Sequence, residues 1–151
     1  MPLWNIYHSP DVFASQDIRN QLASAITKLY TDGGLPAFYV VIHFIPLPKG
    51  NVFVAAKTRD EIPFVRLCVE HMAVHRHEGI ENFPSRFSET INGALKPYIA
   101  DQGYDWEITV NDTPREFWRF NGIAPPPWKS EAEGVWVKTG RPTVWAPEDN
   151  N

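Results

Sequence analysis

Residues 3–34, LWNIYHSPDVFASQDIRNQLASAITKLYTDGG, decide the fold. The first six, LWNIYH, are aromatic and β-branched enough for a strand, and the Ser-Pro-Asp that follows is turn chemistry. Ser15 then precedes a run in which Ile18, Leu22, Ala25, Ile26 and Leu29 recur at helical spacing, with Gly33-Gly34 as the stop. That spacing predicts a helix of about four turns. Next come AFYVVIHFIPLP (37–48), a β-rich run ended by prolines, and NVFVAAK (51–57), a short segment expected to pair with it as an edge strand. The first half therefore reads β-α-β plus a small strand.

The second half repeats the order. PFVRLCVEHM (63–72) reads as a strand, GIENFPSRFSETINGALKPYI (79–99) carries a helix after Pro84, and YDWEITVND (104–112) is another strand. Pro2 to Phe64 and Phe38 to Asp105 are offsets of 62 and 67 residues, which suggests a duplicated β-α-β unit. Right-handed crossovers would place both helices on one face of a single mixed sheet, in an α+β chain read as one domain over 1–151. Its halves are about 2–58 and 63–112, with a tail over 113–151. Both parities of FYVVIHFI are apolar, so the uncovered sheet face is expected to be buried by other subunits. The tail is expected to hold a short helical piece, carries a PPP stretch and Trp118, Trp128, Trp136 and Trp145, and is expected either to pack on its own subunit or to wrap a neighbour.

Composition narrows the function classes. Hydrophobic residues are 43% and charged residues 21%, with six Trp, nine Phe and five Tyr, the make-up of a packed globular protein. The formal charge is −4 and the basic residues are scattered, which argues against a nucleic-acid partner. The single cysteine, Cys68, lies in an apolar run and excludes an intrachain disulfide, with a buried inert thiol expected. No apolar run reaches membrane-spanning length and no signal segment is visible, so no membrane partner and a cytoplasmic location are expected.

Three constellations are candidates for chemistry. Pro2, if Met1 is removed, becomes a secondary amine at the start of a rigid strand, able to act as general base, general acid or nucleophile. Burial would lower its pKa toward neutrality, although proline is also an ordinary first strand residue. Second, VRLCVEHMAVHRHE (65–78) holds His71, His75 and His77 between Glu70 and Glu78. On a helix, His-x3-His would suggest zinc, but in a strand running into a loop the spacing loses that meaning, and no metal is expected. Arg66, His71 and Arg76 are instead available to bind a carboxylate by charge-assisted hydrogen bonds, and a solvated loop is the plain alternative. Third, the Tyr30 hydroxyl can polarise a carbonyl and the Glu116 carboxylate can activate a water, although both residue types are also common as packing and surface groups.

The proline behind the initiator Met, the duplicated β-α-β pattern, AIT (25–27) in the first helix and FVAA (53–56) together resemble the tautomerase superfamily. Within it the chain is similar to the group related to cis-3-chloroacrylic acid dehalogenase. MPLWNIYHSP, GLPAFYVVIHFI, KPYIADQGYDWE and FNGIAPPPWKSEAE further resemble dehalogenase-like tautomerase proteins of filamentous fungi, a likeness over nearly the whole chain. The resemblance implies a homotrimer with a barrel-like assembly of sheets, no cofactor, and an amino-terminal proline in an arginine-lined pocket. It also implies chemistry on small carboxylates: keto-enol tautomerisation, hydration with loss of halide, or decarboxylation.

Carried over by position, the catalytic proline falls on Pro2 and the helix-one histidine of the dehalogenases on Tyr30. Their arginine pair falls near Glu70 to Arg76, where only Arg76 remains, and Glu116 is the nearest candidate for their water-activating glutamate. Without the histidine and the arginine pair, dehalogenation is not transferred. The function expected is a tautomerase-type enzyme in which Pro2 moves a proton on a small 2-oxo or unsaturated acid, with Arg76 and His71 holding its carboxylate. The alternative is a noncatalytic trimeric binding protein on the same fold, as in macrophage migration inhibitory factor.

Overall fold

A computed structural model of the chain describes residues 2–72 and 83–146. Strand β1 (Leu3–His8) leads into helix α1 (Gln16–Thr31) and returns in β2 (Val41–Pro46). Strand β5 (Phe64–His71), helix α2 (Phe83–Leu95) and β6 (Asp105–Asp112) repeat the unit. The four strands form one mixed sheet in the order β2-β1-β5-β6: β1 runs parallel to β2, β5 parallel to β6, and the two units meet antiparallel at β1 and β5. The repeat extends to single hydrogen bonds. The Pro2 carbonyl accepts from Val41 N–H at 3.1 Å, and Pro63, its counterpart before β5, accepts from Asp105 N–H at 3.0 Å.

Alternation along the strands sorts the faces. Trp4, Ile6 and His8 of β1 and Val65, Leu67, Val69 and His71 of β5 are buried on the face that the helices cover. Helix α1 starts at Ser15, whose hydroxyl accepts from Asp17 N–H at 3.2 Å, and it lays Leu22, Ile26 and Tyr30 on that face. Ile91, Leu95 and the following Ile99 do the same from the second crossover. Each such fully buried Leu or Ile side chain stabilises the fold by about 1.5–3 kcal/mol relative to exposure. Ile18 departs from the expected stripe: it is 43% exposed, one turn short of the buried run of α1.

The opposite face is less apolar than β2 suggests. Leu3, Val41 and Ile45 lie on the β1–β2 side, but the β5–β6 side carries Arg66, Glu70, Glu107, Thr109 and Asn111. Arg66 pairs there with Glu107, its Nη2 donates to Thr109 Oγ1 at 3.3 Å and its Nε lies 3.4 Å from Cys68 Sγ. Cys68 is half-buried on this face, not in the core.

Two expected elements differ. Residues Ala37–Tyr39 form a 3-10 turn and β2 starts only at Val41, because Phe38 and Tyr39 turn into an aromatic core instead of extending the ladder. NVFVAAK does not pair with β2 but closes on itself as a hairpin of β3 (Phe53–Val54) and β4 (Lys57–Thr58). Its turn residues Ala55 and Ala56 have φ of 51° and 61°, the left-handed region that favours Asn-Gly. The tail packs on its own chain, one of the two expected arrangements, and its helical piece is α3 (Glu131–Thr139). Ser130 caps it by accepting from Glu133 N–H at 3.1 Å, and Gly140 ends it at φ 65°. Trp118, Phe120 and Trp136 enclose Tyr39, Trp136 Nε1 donates to Thr143 O at 2.9 Å, and Trp145 Nε1 donates to Ala124 O at 2.7 Å.

Candidate functional site

The antiparallel register brings the start of β1 to the end of β5. Leu3 faces Glu70, so the next pair outward is Pro2 with His71. Pro2 shares the helix-side parity of Trp4, and His71 that of Val69, so both belong to the covered face. Pro2 is buried and His71 is 7% exposed.

Helix α1 brings its last turn over this corner. Tyr30, 4% exposed, lies with its ring centroid 5.9 Å from that of His71, and Phe87 of α2 meets the imidazole edge-on at 5.3 Å. Trp4 Nε1–H donates to the Tyr30 hydroxyl at 3.0 Å. Burial pushes the phenol pKa well above its ordinary value, against the smaller lowering effect of the Trp4 bond, so Tyr30 is protonated throughout the neutral range. Strand register and the ring contact thus place Pro2, Tyr30 and His71, all buried, at one corner of the helix-covered face.

The other expected site residues stand elsewhere. Arg66 lies five residues before His71 and therefore on the opposite face, engaged by Glu107. Glu116 sits in a 3-10 turn, Arg115–Phe117, just beyond the end of β6, and its side chain is exposed. Arg76 lies outside the described residues, as do His75, His77 and Glu78. Among the described residues no three His, Cys, Asp or Glu side chains converge as a metal site. No described helix is long and apolar enough to cross a membrane.

Sequence reasoning missed Trp4, Phe87 and Asp112 at this corner. Asp112 is paired with His71 across β5–β6, and Thr113 N–H donates to His71 O at 3.0 Å. The parity of WNIYH and the end-on register of β5 with β6 were the available signals. A second polar cluster also escaped notice. Glu133 of α3, 2% exposed, accepts from Lys129 N–H at 2.7 Å and from the Tyr39 hydroxyl at 3.4 Å, with Arg115 Nη2 at 3.5 Å. Burial raises the Glu133 pKa, and the Lys129 and Arg115 contacts act against it. This cluster ties Tyr39, two residues before the start of β2, to the tail.

Relatives bear on the same architecture. No curated protein matches the chain. Native RhCC from Rhodococcus jostii RHA1 is 35% identical, with a TM-score of 0.87 over 95% of this chain and 99% of that one. A probable enzyme from the thermophilic fungus Aspergillus fumigatus is 39% identical, with a TM-score of 0.86 over 96% and 98%. N1, a member of the cis-3-chloroacrylic acid dehalogenase family, is similar in fold, at 18% identity and a TM-score of 0.64 over 91% of each chain. The family model described as "Putative oxalocrotonate tautomerase enzyme" matches residues 1–141. With a mixed sheet of two β-α-β units, a proline at the head of β1 and that match over almost the whole length, the chain belongs to the Tautomerase_3 family of the tautomerase superfamily.

Proposed function

We propose that the protein is a tautomerase-type enzyme that uses Pro2, freed by removal of Met1, as a general base and acid on small 2-oxo or unsaturated carboxylic acids. The observation that carries this reading is the burial of Pro2 in register with His71 and in the same corner as Tyr30. A secondary amine in such a corner is poorly solvated in its charged form, which lowers its pKa and leaves a free lone pair near pH 7. In the ketonisation of an enol acid, the proton leaves the 2-hydroxyl for the Pro2 nitrogen and returns to C3 while the C=C bond becomes C=O. The reaction is an isomerisation and requires no co-reactant. Arg76 and His71 hold the substrate carboxylate, Tyr30 donates to a substrate oxygen, and Glu116 approaches from the exposed rim. Arg66 has no part in this site because it belongs to the other face of the sheet. The assembly is a homotrimer in which neighbouring subunits cover the open face.

Protein whose intact mass verifies a Pro2 terminus is assayed with phenylenolpyruvate. Pro2→Ala is expected to lower kcat/KM by about 100-fold or more, the usual scale of a lost acid-base group. Equal rates in variant and wild type would sink the reading.

A further inference from the structure

Trp4 is fully buried beneath the corner and spends its one polar atom on Tyr30: the indole N–H donates to the phenol oxygen at 3.0 Å. An indole nitrogen can only donate, so the direction of this bond is not in question. A phenol O–H prefers the plane of its ring and has two orientations there. With one side of the oxygen taken by an incoming N–H, the O–H turns to the other. Among the described residues no acceptor meets that proton, although the hydroxyl is on a residue only 4% exposed and buried donors are ordinarily satisfied. A buried donor left over beside His71, in the corner that also holds Pro2, is placed to serve a bound molecule.

We propose that Trp4 is a positioning residue: by donating its indole N–H to the Tyr30 oxygen it presents the Tyr30 O–H to a substrate oxygen in the Pro2 corner. This rests on the tautomerase reading above and deepens it. Charge grows on the substrate 2-oxygen region as Pro2 removes the proton, and a donor already held in place needs no reorganisation at that moment. Tyr30 touches the substrate; Trp4 acts only through Tyr30. The aromatic bulk of Trp4 supports the core, whereas its N–H sets the polarity of the site.

The test compares Trp4→Phe, Tyr30→Phe and the double variant in the phenylenolpyruvate assay at equal protomer concentration. Each single variant is expected to lower kcat roughly ten- to 100-fold with KM within about twofold, and the double variant to be no slower than Tyr30→Phe alone, the signature of residues acting as a unit. The apparent pKa of the acid limb of the rate profile, which reports Pro2, is expected to stay put in both. Wild-type activity in Trp4→Phe, or multiplicative losses in the double variant, overturns the proposal. Because Trp4→Phe opens space in the core, a second measurement uses wild-type protein carrying nitrogen-15 tryptophan. Phenylpyruvate is expected to shift the Trp4 indole N–H signal, and Tyr30→Phe to abolish that shift. No shift in wild type overturns the proposal even where the protein is active. Failure of Pro2→Ala to slow the enzyme strikes the tautomerase reading instead, and the indole signal then decides the role of Trp4 on its own.

Discussion

Replacing Glu133 tests whether the tail is fastened to the sheet by its buried carboxylate. In Glu133→Ala the Lys129 N–H loses a 2.7 Å charge-assisted bond, and Arg115 and Tyr39 lose longer contacts at 3.5 and 3.4 Å. A hydrogen bond to a charged group contributes about 1.5–3 kcal/mol, and the two longer contacts add about 1 kcal/mol together. Relief of the buried charge offsets part of this, so the net loss is about 2–4 kcal/mol. With a urea m-value of about 1–3 kcal/mol/M, the unfolding midpoint falls by about 1 M or more. Glu133→Gln keeps one acceptor for Lys129 and the volume of the side chain, and costs about 1–2 kcal/mol.

The pH dependence gives this prediction its sharper edge. Burial raises the Glu133 pKa above that of the unfolded chain, so its contribution is fully present below about pH 4.5 and declines as pH rises through the folded-state value. The stability gap between wild type and Glu133→Gln is therefore wider at pH 4.5 than at pH 7. Urea titrations followed by tryptophan fluorescence at fixed protomer concentration measure it. A loss below about 0.5 kcal/mol in Glu133→Ala, which is the scale of an ordinary surface substitution, or a gap that widens toward pH 7, refutes the reasoning.

Two further outcomes follow from particular residues. His8 is 3% exposed between Phe13 and Phe44, its Nδ1–H donates to Ser9 O at 2.8 Å, and burial above all lowers its pKa. It therefore weakens the fold as pH drops below about 6.5, where the unfolded imidazole takes up a proton that the native one refuses, until the native pKa is reached. His8→Phe is expected to flatten the stability profile in that window by at most about 1.4 kcal/mol per pH unit, and superimposable slopes in urea titrations count against it. In the β3–β4 turn, Ala55→Asn with Ala56→Gly places the preferred pair where φ is 51° and 61°, and should raise stability by about 1 kcal/mol. An unchanged or lower thermal midpoint would show that this turn carries no strain.

Much of the frame was readable because its signals are local. LWNIYH is β1 residue for residue, Ser15 is the cap of α1, and the repeat of strand, helix and strand survives as two parallel pairs. What escaped depended on partners far away in the chain. Phe38 and Tyr39 have strand-like chemistry, and only the arrival of Trp118, Phe120 and Trp136 makes a turn there the better arrangement. A helical piece in the tail was legible, and its bounds were within reach, since Ser130 precedes Glu133 at capping spacing and Gly140 marks the stop. At the corner, Pro2, Tyr30 and His71 could be chosen by residue type. Setting Arg66 apart needed only counting, because an odd separation from His71 along one strand reverses the face.

The duplicated sheet has two corners of the same backbone design, one headed by Pro2 and the other by Pro63. Backbone geometry treats the two prolines alike, while covalent chemistry does not: the Pro63 nitrogen is an amide with no basicity, and Pro2 differs only when nothing is attached to it. A single residue left or added in front of Pro2 makes the two corners chemically alike, however faithfully the fold is kept. On the proposed Pro2 mechanism, affinity tags belong at the other terminus, and a folded preparation with an extended amino end is expected to be inactive.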